Sequence, residues 1–311
     1  MIISASRRTD IPAFFSDWFF NRISEGYVLV RNPMNYYQVS KIDLSPSVVD
    51  CIVFWTKDPC NMIDKLSLLE KYKYYFQFTL NSYDQSVECG VRKKSDIIKT
   101  FIELSRIIGK EKVIWRYDPI LLSNKYTKEH HYKYFEIFAS KLKGYTDKCV
   151  ISFLDLYKNT QRGVKSLELS PLTEVDMVEI ARNISAIANK YNIEIATCCE
   201  RIDLSPYGIK HNKCIDDTLI TKIVGANLNI EKDKTQREVC GCVSSIDIGA
   251  YNTCRHNCAY CYATYSEKTV EKNRLLHNPK SPLLLGDVEE NDIIKEREVQ
   301  SIIKKQVSLF D

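Results

Sequence analysis

Three cysteines near the C-terminal end of the chain, Cys254, Cys258 and Cys261, follow a CxxxCxxC spacing in the run Thr253-Cys254-Arg255-His256-Asn257-Cys258-Ala259-Tyr260-Cys261-Tyr262-Ala263. Three close thiolates can hold three irons of a four-iron, four-sulfur (4Fe-4S) cluster, where four cysteines normally complete the shell. The fourth iron is then open to another ligand, which points to chemistry rather than to a structural staple. Zinc is the competing reading, with His256 or a distant residue as fourth ligand. His256 between two of the cysteines is a poor match to zinc-finger spacing. Three unligated core thiols would be scattered through apolar runs, whereas these sit among Asn, Arg and His.

A second set is spread over a weakly patterned stretch: Cys198, Cys214, Cys240 and Cys242, the last two flanking Gly241. Glycine there lets the backbone turn as tightly as a chelate needs. Cys199 and His211 are alternative ligands. The set suits a second iron–sulfur cluster or a structural zinc, and a metal would order a segment that has little pattern of its own. Cys51, Cys60, Cys89 and Cys149 have no partners at ligand spacing and read as ordinary core or surface residues.

The elements that must position these groups alternate. Apolar runs at residues 2–6, 48–55, 74–80, 112–117, 149–154, 193–197 and 246–249 read as strands. Residues 12–24, 95–108, 128–142, 173–191, 262–276 and 291–305 read as helices, with a Ser95 cap on the second and Gly109 at its end. Residues 27–31 and 36–42 read as a hairpin. This pattern predicts an α/β fold built on a parallel sheet. The absence of a Gly-rich dinucleotide turn favours a TIM-like (β/α) barrel, closed or partial, over an open Rossmann sheet. One barrel unit is expected over residues 1–276, containing the cysteine-rich insert 198–244 and the cluster loop 250–263. A linker at 277–286, a C-terminal helix and a tail follow.

In such a barrel the functional side chains collect at the C-terminal strand ends. Those ends carry Arg7, Arg8 and Asp10, then Lys57 and Asp58, Arg116 and Asp118, Asp155, and Glu200. Asp10 and Asp58 read equally well as helix caps. Arg7, Arg8 and Arg116 each follow an apolar run, so buried guanidinium is expected, needing carboxylate or anionic partners.

Bulk properties narrow the class. The chain has 311 residues, a formal charge of +4 and 12 cysteines. The mild charge neither requires nor excludes nucleic acid. No apolar run reaches membrane-spanning length, and no secretory leader is read at Met1. A cytoplasmic, reducing location is expected, in which abundant cysteine points to metal rather than to disulfides.

The loop Cys254–Cys261, with Tyr260 before the third cysteine and Tyr262-Ala263 behind, resembles the cluster motif of radical S-adenosylmethionine (SAM) enzymes. Its form is most similar to the spore photoproduct lyase-like branch, which repairs DNA. The whole chain also resembles an uncharacterised bacterial family of unknown function, numbered 1848, in its Ser6-Arg7-Arg8-Thr9-Asp10-Ile11-Pro12 opening and its late cysteine loop. The first resemblance implies that the open iron chelates SAM and that cleavage gives a 5′-deoxyadenosyl radical, with an external reductant supplying the electron. It implies that Tyr260 lies near the adenine and that Arg8 and Glu200 contact the cofactor. Arg7, Lys57, Arg116 and Asp118 would then act on the substrate or its phosphate. Radical SAM enzymes carry this motif after their first strand, and here it follows the last. A circular permutation accounts for the difference and makes the Met1 strand the neighbour of strand 246–249. The Gly-Gly-Glu element of those enzymes would fall at Ser6-Arg7-Arg8 and is absent, which leaves the SAM amino group without an assigned contact.

The C-terminal Gln306-Val307-Ser308-Leu309-Phe310 is similar to the bacterial sliding-clamp binding peptide, with two apolar anchors on a terminal tail. Together these readings predict an enzyme of DNA repair or base modification. The rivals are a non-catalytic DNA-associated metal module recruited by the clamp, and a divalent-metal phosphate-ester hydrolase using Arg7, Asp10 and Asp118.

Overall fold

The computed structural model describes residues 1–156 and 160–304. In chain order the elements are β1 (Ile2–Ala5), α1 (Ile11–Phe14), α2 (Ser16–Glu25), β2 (Tyr27–Asn32), β3 (Asn35–Asp43), β4 (Cys51–Thr56), α3 (Cys60–Ile63), β5 (Tyr74–Thr79), α4 (Lys94–Ile108), β6 (Val113–Ile120), α5 (Lys128–Leu142), β7 (Lys148–Phe153), α6 (Gln161–Val164), α7 (Glu174–Lys190), β8 (Glu194–Thr197), β9 (Lys210–His211), α8 (Asp217–Val224), β10 (Ile246–Asp247), α9 (Glu267–Leu276) and β11 (Ile293–Glu296).

Eight strands form one sheet in the order β10-β1-β4-β5-β6-β7-β8-β9, and every ladder in it is parallel. The α/β class is therefore as the alternation predicts. The sheet runs as one open series, and among the described residues no ladder joins β9 to β10. The strands are near-continuous apolar runs because both faces are covered: β1, β5 and β7 are buried almost throughout. One large core joins the sheet to α2, α4, α5 and α7 through Trp18, Phe54, Phe101, Trp115 and Phe135.

Local signals set the boundaries. Thr173 and Asp176 form a reciprocal capping box at the start of α7, which satisfies two backbone donors that the first turn leaves open. Asp216 caps α8. Gly26 and Gly225 end α2 and α8 in the left-handed conformation, which a side chain would strain.

Three expectations are corrected. Ser95 lies inside α4 rather than capping it: Lys93 occupies the cap and makes no side-chain cap bond. Residues 262–266 are not helical, and α9 starts only after its cap, Ser266. Within the helix expected over 291–305, the described residues form no helix, and Ile293–Glu296 are instead the strand β11, parallel to β3 in a small sheet with β2. The hairpin left one edge of β3 with unpaired backbone groups, and pairing them outweighs a weak amphipathic preference. The segment joining α9 to β11 packs on the body. Trp18 Nε1 donates to the carbonyls of Ser281 and Leu283, both at 3.0 Å. The chain's end returns to its start, where Met1 N donates to Gln300 O at 2.8 Å.

Candidate functional site

The C-terminal ends of the parallel strands surround a cavity of about 550 Å³. It is lined by Arg7, Arg8, Lys57, Arg116, Asp118, Glu200 and Tyr260, by the three thiols of the cysteine loop, and by Cys198, Cys214, Cys240 and Cys242. These candidate residues thus reach one space, while Asp58 is not part of its lining. The two cysteine sets, more than 50 positions apart at their extremes in sequence, share its wall.

The loop arrives there because β10 pairs with β1, Ile3 opposite Ile246 and Ser4 opposite Asp247. Asp247 fixes the junction. Its carboxylate accepts from Ser4 Oγ at 3.0 Å, Ser6 Oγ at 2.6 Å, Arg7 N at 2.8 Å and Gly249 N at 3.0 Å. A Cβ at Gly249 would stand 2.2 Å from Ser6 Oγ, so this approach requires glycine. Arg8 reaches along the same edge, 3.4 Å from Gly249 O, with its guanidinium 5.3 Å from the centre of the Tyr251 ring.

The loop then docks on residues 87–90. Ala259 N donates to Val87 O and Gly90 N to His256 O, both at 2.8 Å, and Glu88 bridges Cys258 in antiparallel sense. A Cβ on Gly90 would lie 2.2 Å from Arg255 O, and one on Gly163 would lie 2.2 Å from Ala259 O. Both glycines admit the loop backbone at a distance no other residue allows.

Beneath the loop sits a buried polar network. Lys57 Nζ donates to Glu88 Oε1 and to Tyr260 Oη, both at 2.8 Å. Asn81 Nδ2 donates to Tyr260 Oη at 3.0 Å and to Asp118 O at 2.8 Å. Tyr260 and Lys94 also donate to Glu88. Glu88 is 1% exposed. Burial alone would raise its pKa, yet Lys57 and Lys94 hold it down at about 2. Lys57 lies on the other side of the same balance: burial opposes its charge, Glu88 restores it, and the net shift is upward. The Tyr260 hydroxyl is committed to this network, so Lys57 and Tyr260 brace the loop from below.

Asp10 is a helix cap and more. One oxygen accepts from Ala13 N at 3.0 Å, and the other from Lys57 N at 2.7 Å and faces His256 Nε2 at 2.9 Å. His256 Nδ1 faces Gly90 O at 3.3 Å. Both ring nitrogens of His256 are thus turned to acceptors. Asp58 is not the cap of α3, whose cap position is Pro59; it is paired with Arg92 and receives Nη2 at 2.7 Å.

The three thiols lie on one loop, face one cavity and act on one another electrostatically. Burial pushes Cys258 up to about 12, with Lys57 pulling the other way. Burial, Asp10 and the two other thiols raise Cys254. Thiols so disposed ionise when a cation supplies the missing charge.

Across the sheet, Arg116 is 5% exposed. It pairs with Asp118, donating from Nε at 3.0 Å, and Nη1 lies 2.8 Å from Cys214 Sγ. Despite burial, which works the other way, Cys214 and Asp118 raise its pKa further. Asp118 is held low by Arg116 and by the Ser152 hydroxyl against the cost of burial. Glu200 accepts from Phe153 N at 2.8 Å, and burial, with Asp155 and Asp118 nearby, lifts it to about 7.

Glu88 and Asp247 escape sequence reasoning, whereas Asn81 is one of the polar residues at the strand ends. A glycine directly after Cys89 was the one signal that backbone approaches closely near Glu88. Gln306–Phe310 lies outside the described residues.

A family model described as "Domain of unknown function (DUF1848)" matches residues 2–263. The chain belongs to this family. The match spans both the Ser6–Pro12 opening and the cysteine loop, so the two segments that meet at Asp247 fall in one family unit. No curated protein matches the chain. No helix among the described residues is long and apolar enough to cross a membrane.

Proposed function

We propose that this DUF1848 protein is an iron–sulfur enzyme of the radical SAM type that acts on nucleic acid. The observation that carries the proposal is the shared cavity: three thiols on one loop face the cationic and acidic strand ends across about 550 Å³, room for a cofactor and a reacting group. When bound, a four-iron cluster with SAM supplies hydrogen abstraction from an unactivated C–H bond, the hard chemistry that side chains lack.

The chain's own residues have separable tasks. Cys254, Cys258 and Cys261 would hold the cluster. Lys57, Asn81, Glu88 and Tyr260 keep their loop rigid. Arg7 and Arg8 stand on the cavity wall beside the β1–β10 junction, where guanidinium suits a cofactor carboxylate or a substrate phosphate. Arg116 and Asp118 form a preorganised polar wall, and Glu200, poised near neutrality, can hold or release a proton there. The strand order supports a permuted, partial barrel: β10, β1, β4, β5, β6, β7 and β8 lie side by side in that sequence. An external one-electron reductant is required, and DNA is the expected substrate polymer.

The hydrolase reading is weaker. Asp10 is occupied by a cap, the Lys57 amide and His256, and Asp118 by Arg116 and Ser152. The DNA-associated, non-catalytic reading differs in one outcome, the absence of SAM turnover. Anaerobic, reduced protein incubated with SAM tests the proposal. Cleavage that is lost in Cys254→Ala supports it, and unchanged SAM with an intact cluster overturns the catalytic step.

A further inference from the structure

Four further thiols line the cavity wall apart from the cysteine loop. Cys198 follows β8, Cys214 follows β9, and Cys240 and Cys242 lie in the loop that leads back to β10. Their contacts run in a row. Cys198 Sγ is 3.1 Å from Cys214 Sγ. Cys214 meets Cys242 through its backbone N–H, 3.2 Å from Cys242 Sγ, and the thiols of Cys214, Cys242 and Cys240 act on one another electrostatically. Cys214, Cys240 and Cys242 are 2%, 9% and 3% exposed.

The surroundings are built for negative sulfur. Cys242 Sγ accepts from the backbone N–H of Cys214 at 3.2 Å and of Ile215 at 3.4 Å. Arg116 Nη1 donates to Cys214 Sγ at 2.8 Å, and Asn212 Nδ2 stands 3.8 Å away. Charge-assisted donors aimed at sulfur are wasted on a neutral thiol and favour a thiolate. Were these neighbouring sulfurs ionised together, they would repel one another unless a cation sat among them.

The polypeptide here also has little regular structure. Between β8 and β10 the regular structure is one short 3₁₀ turn, a two-residue strand and the eight-residue α8. The small core that joins this region to the sheet counts Cys51, Cys214, Cys240 and Cys242 among its buried members. A metal cross-link would tie three separate chain segments together at that point.

Spacing bears on the kind of metal. A tetrahedral zinc holds each sulfur at about 2.3 Å, so neighbouring sulfurs lie about 3.8 Å apart. A cubane spreads its ligand sulfurs around a much larger iron–sulfur core. Cys198 Sγ and Cys214 Sγ, 3.1 Å apart, are nearer to the first spacing than to the second. Among the described residues no group of three or more His, Cys, Asp or Glu side chains is already arranged to hold a metal ion, so a metal site here requires the row to close around the metal. Cys199 touches Cys240 from the rim, but it is Cys198 whose sulfur meets Cys214.

We propose that Cys198, Cys214, Cys240 and Cys242 form a mononuclear tetrathiolate site for a soft divalent metal of the zinc class, separate from the cysteine-loop cluster. The site would fasten the 198–243 segment to the sheet and, through Arg116, fix one wall of the cavity.

The test is metal content of the full chain, purified with zinc in the medium, as wild type and as the Cys254/Cys258/Cys261→Ala variant. One zinc per chain in both, lost in Cys214→Ser/Cys242→Ser, is expected. Cobalt(II) exchanged into wild type should give the intense visible bands of a tetrahedral tetrathiolate. Cys240→His should keep one metal and shift those bands, which covers the case in which the double serine variant does not fold. Iron with stoichiometric sulfide at this site in the cysteine-loop variant, or zinc that survives loss of Cys214 and Cys242, would overturn the proposal. Because the cysteine-loop variant carries no first cluster, failure of the radical reading leaves this outcome unaffected.

Discussion

Replacing Glu88 by Gln probes the brace beneath the cysteine loop. Glu88 is the one carboxylate that receives Lys57, Lys94 and Tyr260 together, and it is 1% exposed. Glutamine keeps the shape and one acceptor but removes the charge. Lys57, whose side chain is 14% exposed, is then a buried cation with no counter-charge in contact. Breaking one partner of a buried ion pair costs about 3–5 kcal/mol, and the retained acceptor places this change near the lower end, about 3 kcal/mol. With an unfolding entropy of about 2.1 cal/mol/K per residue, a chain of 311 residues should lose roughly 5 °C in Tm. Urea unfolding at pH 7 and calorimetry measure both quantities. Lys57→Met alone should also destabilise, and the double variant should recover about 1–3 kcal/mol of the summed loss, as coupled neighbours do. The loop variant should in addition hold less iron at equal helix content. If Glu88→Gln costs under about 1 kcal/mol, or if the two changes simply add, the network is not the brace described above.

Three further outcomes follow. Gly90→Ala puts a methyl 2.2 Å from Arg255 O, so the backbone of the cysteine loop must move. A stability loss of about 1–3 kcal/mol is expected, with a severalfold drop in loop-bound iron at an unchanged far-ultraviolet spectrum. His131, fully buried, faces Leu121 O at 2.8 Å through Nε2 and the Tyr117 hydroxyl at 2.8 Å through Nδ1, and burial lowers its pKa from 6.5 to about 4. Its folded pKa is depressed, so the unfolded chain binds more protons between these values; the stabilisation is complete above the unfolded value and is lost as pH falls towards 4. Between pH 7.5 and 4.5 wild type should lose roughly 2–3 kcal/mol from this group, and His131→Gln should show a correspondingly flatter urea-unfolding profile across that range.

Much of the framework was legible because β1, β4, β5, β6 and β7 are buried on both faces and read as apolar runs of strand length. The β1–β10 pairing was legible too, since a late cysteine loop on a parallel sheet needed a neighbour for its strand. The α4 start was misread because Ser95 resembles a cap while the chain enters helix at Lys94 without one. The strand β11 was unreadable locally: its isoleucines fit a helix face, and only the open edge of β3 makes them a strand. At the site, residue type revealed the cysteines and arginines, whose chemistry is rare at strand ends. It did not reveal Glu88, whose partners Lys57 and Tyr260 lie 31 and 172 positions away. Asp10 was readable as a cap from Pro12, but its second oxygen, turned to His256, depends on a contact 246 positions distant. Asp247 had no signal beyond its place in a short strand.

The central claim is that Cys254, Cys258 and Cys261 carry a cluster that engages SAM. Iron and acid-labile sulfide counted per chain after anaerobic reconstitution, in wild type and in the Cys254/Cys258/Cys261→Ala variant, followed by SAM turnover on reduction, tests it most directly. A loss of about four irons and their sulfide in the variant, with SAM consumed by wild type alone, is the predicted result. Equal iron in the two proteins, or a colourless wild type that leaves SAM intact, would contradict it.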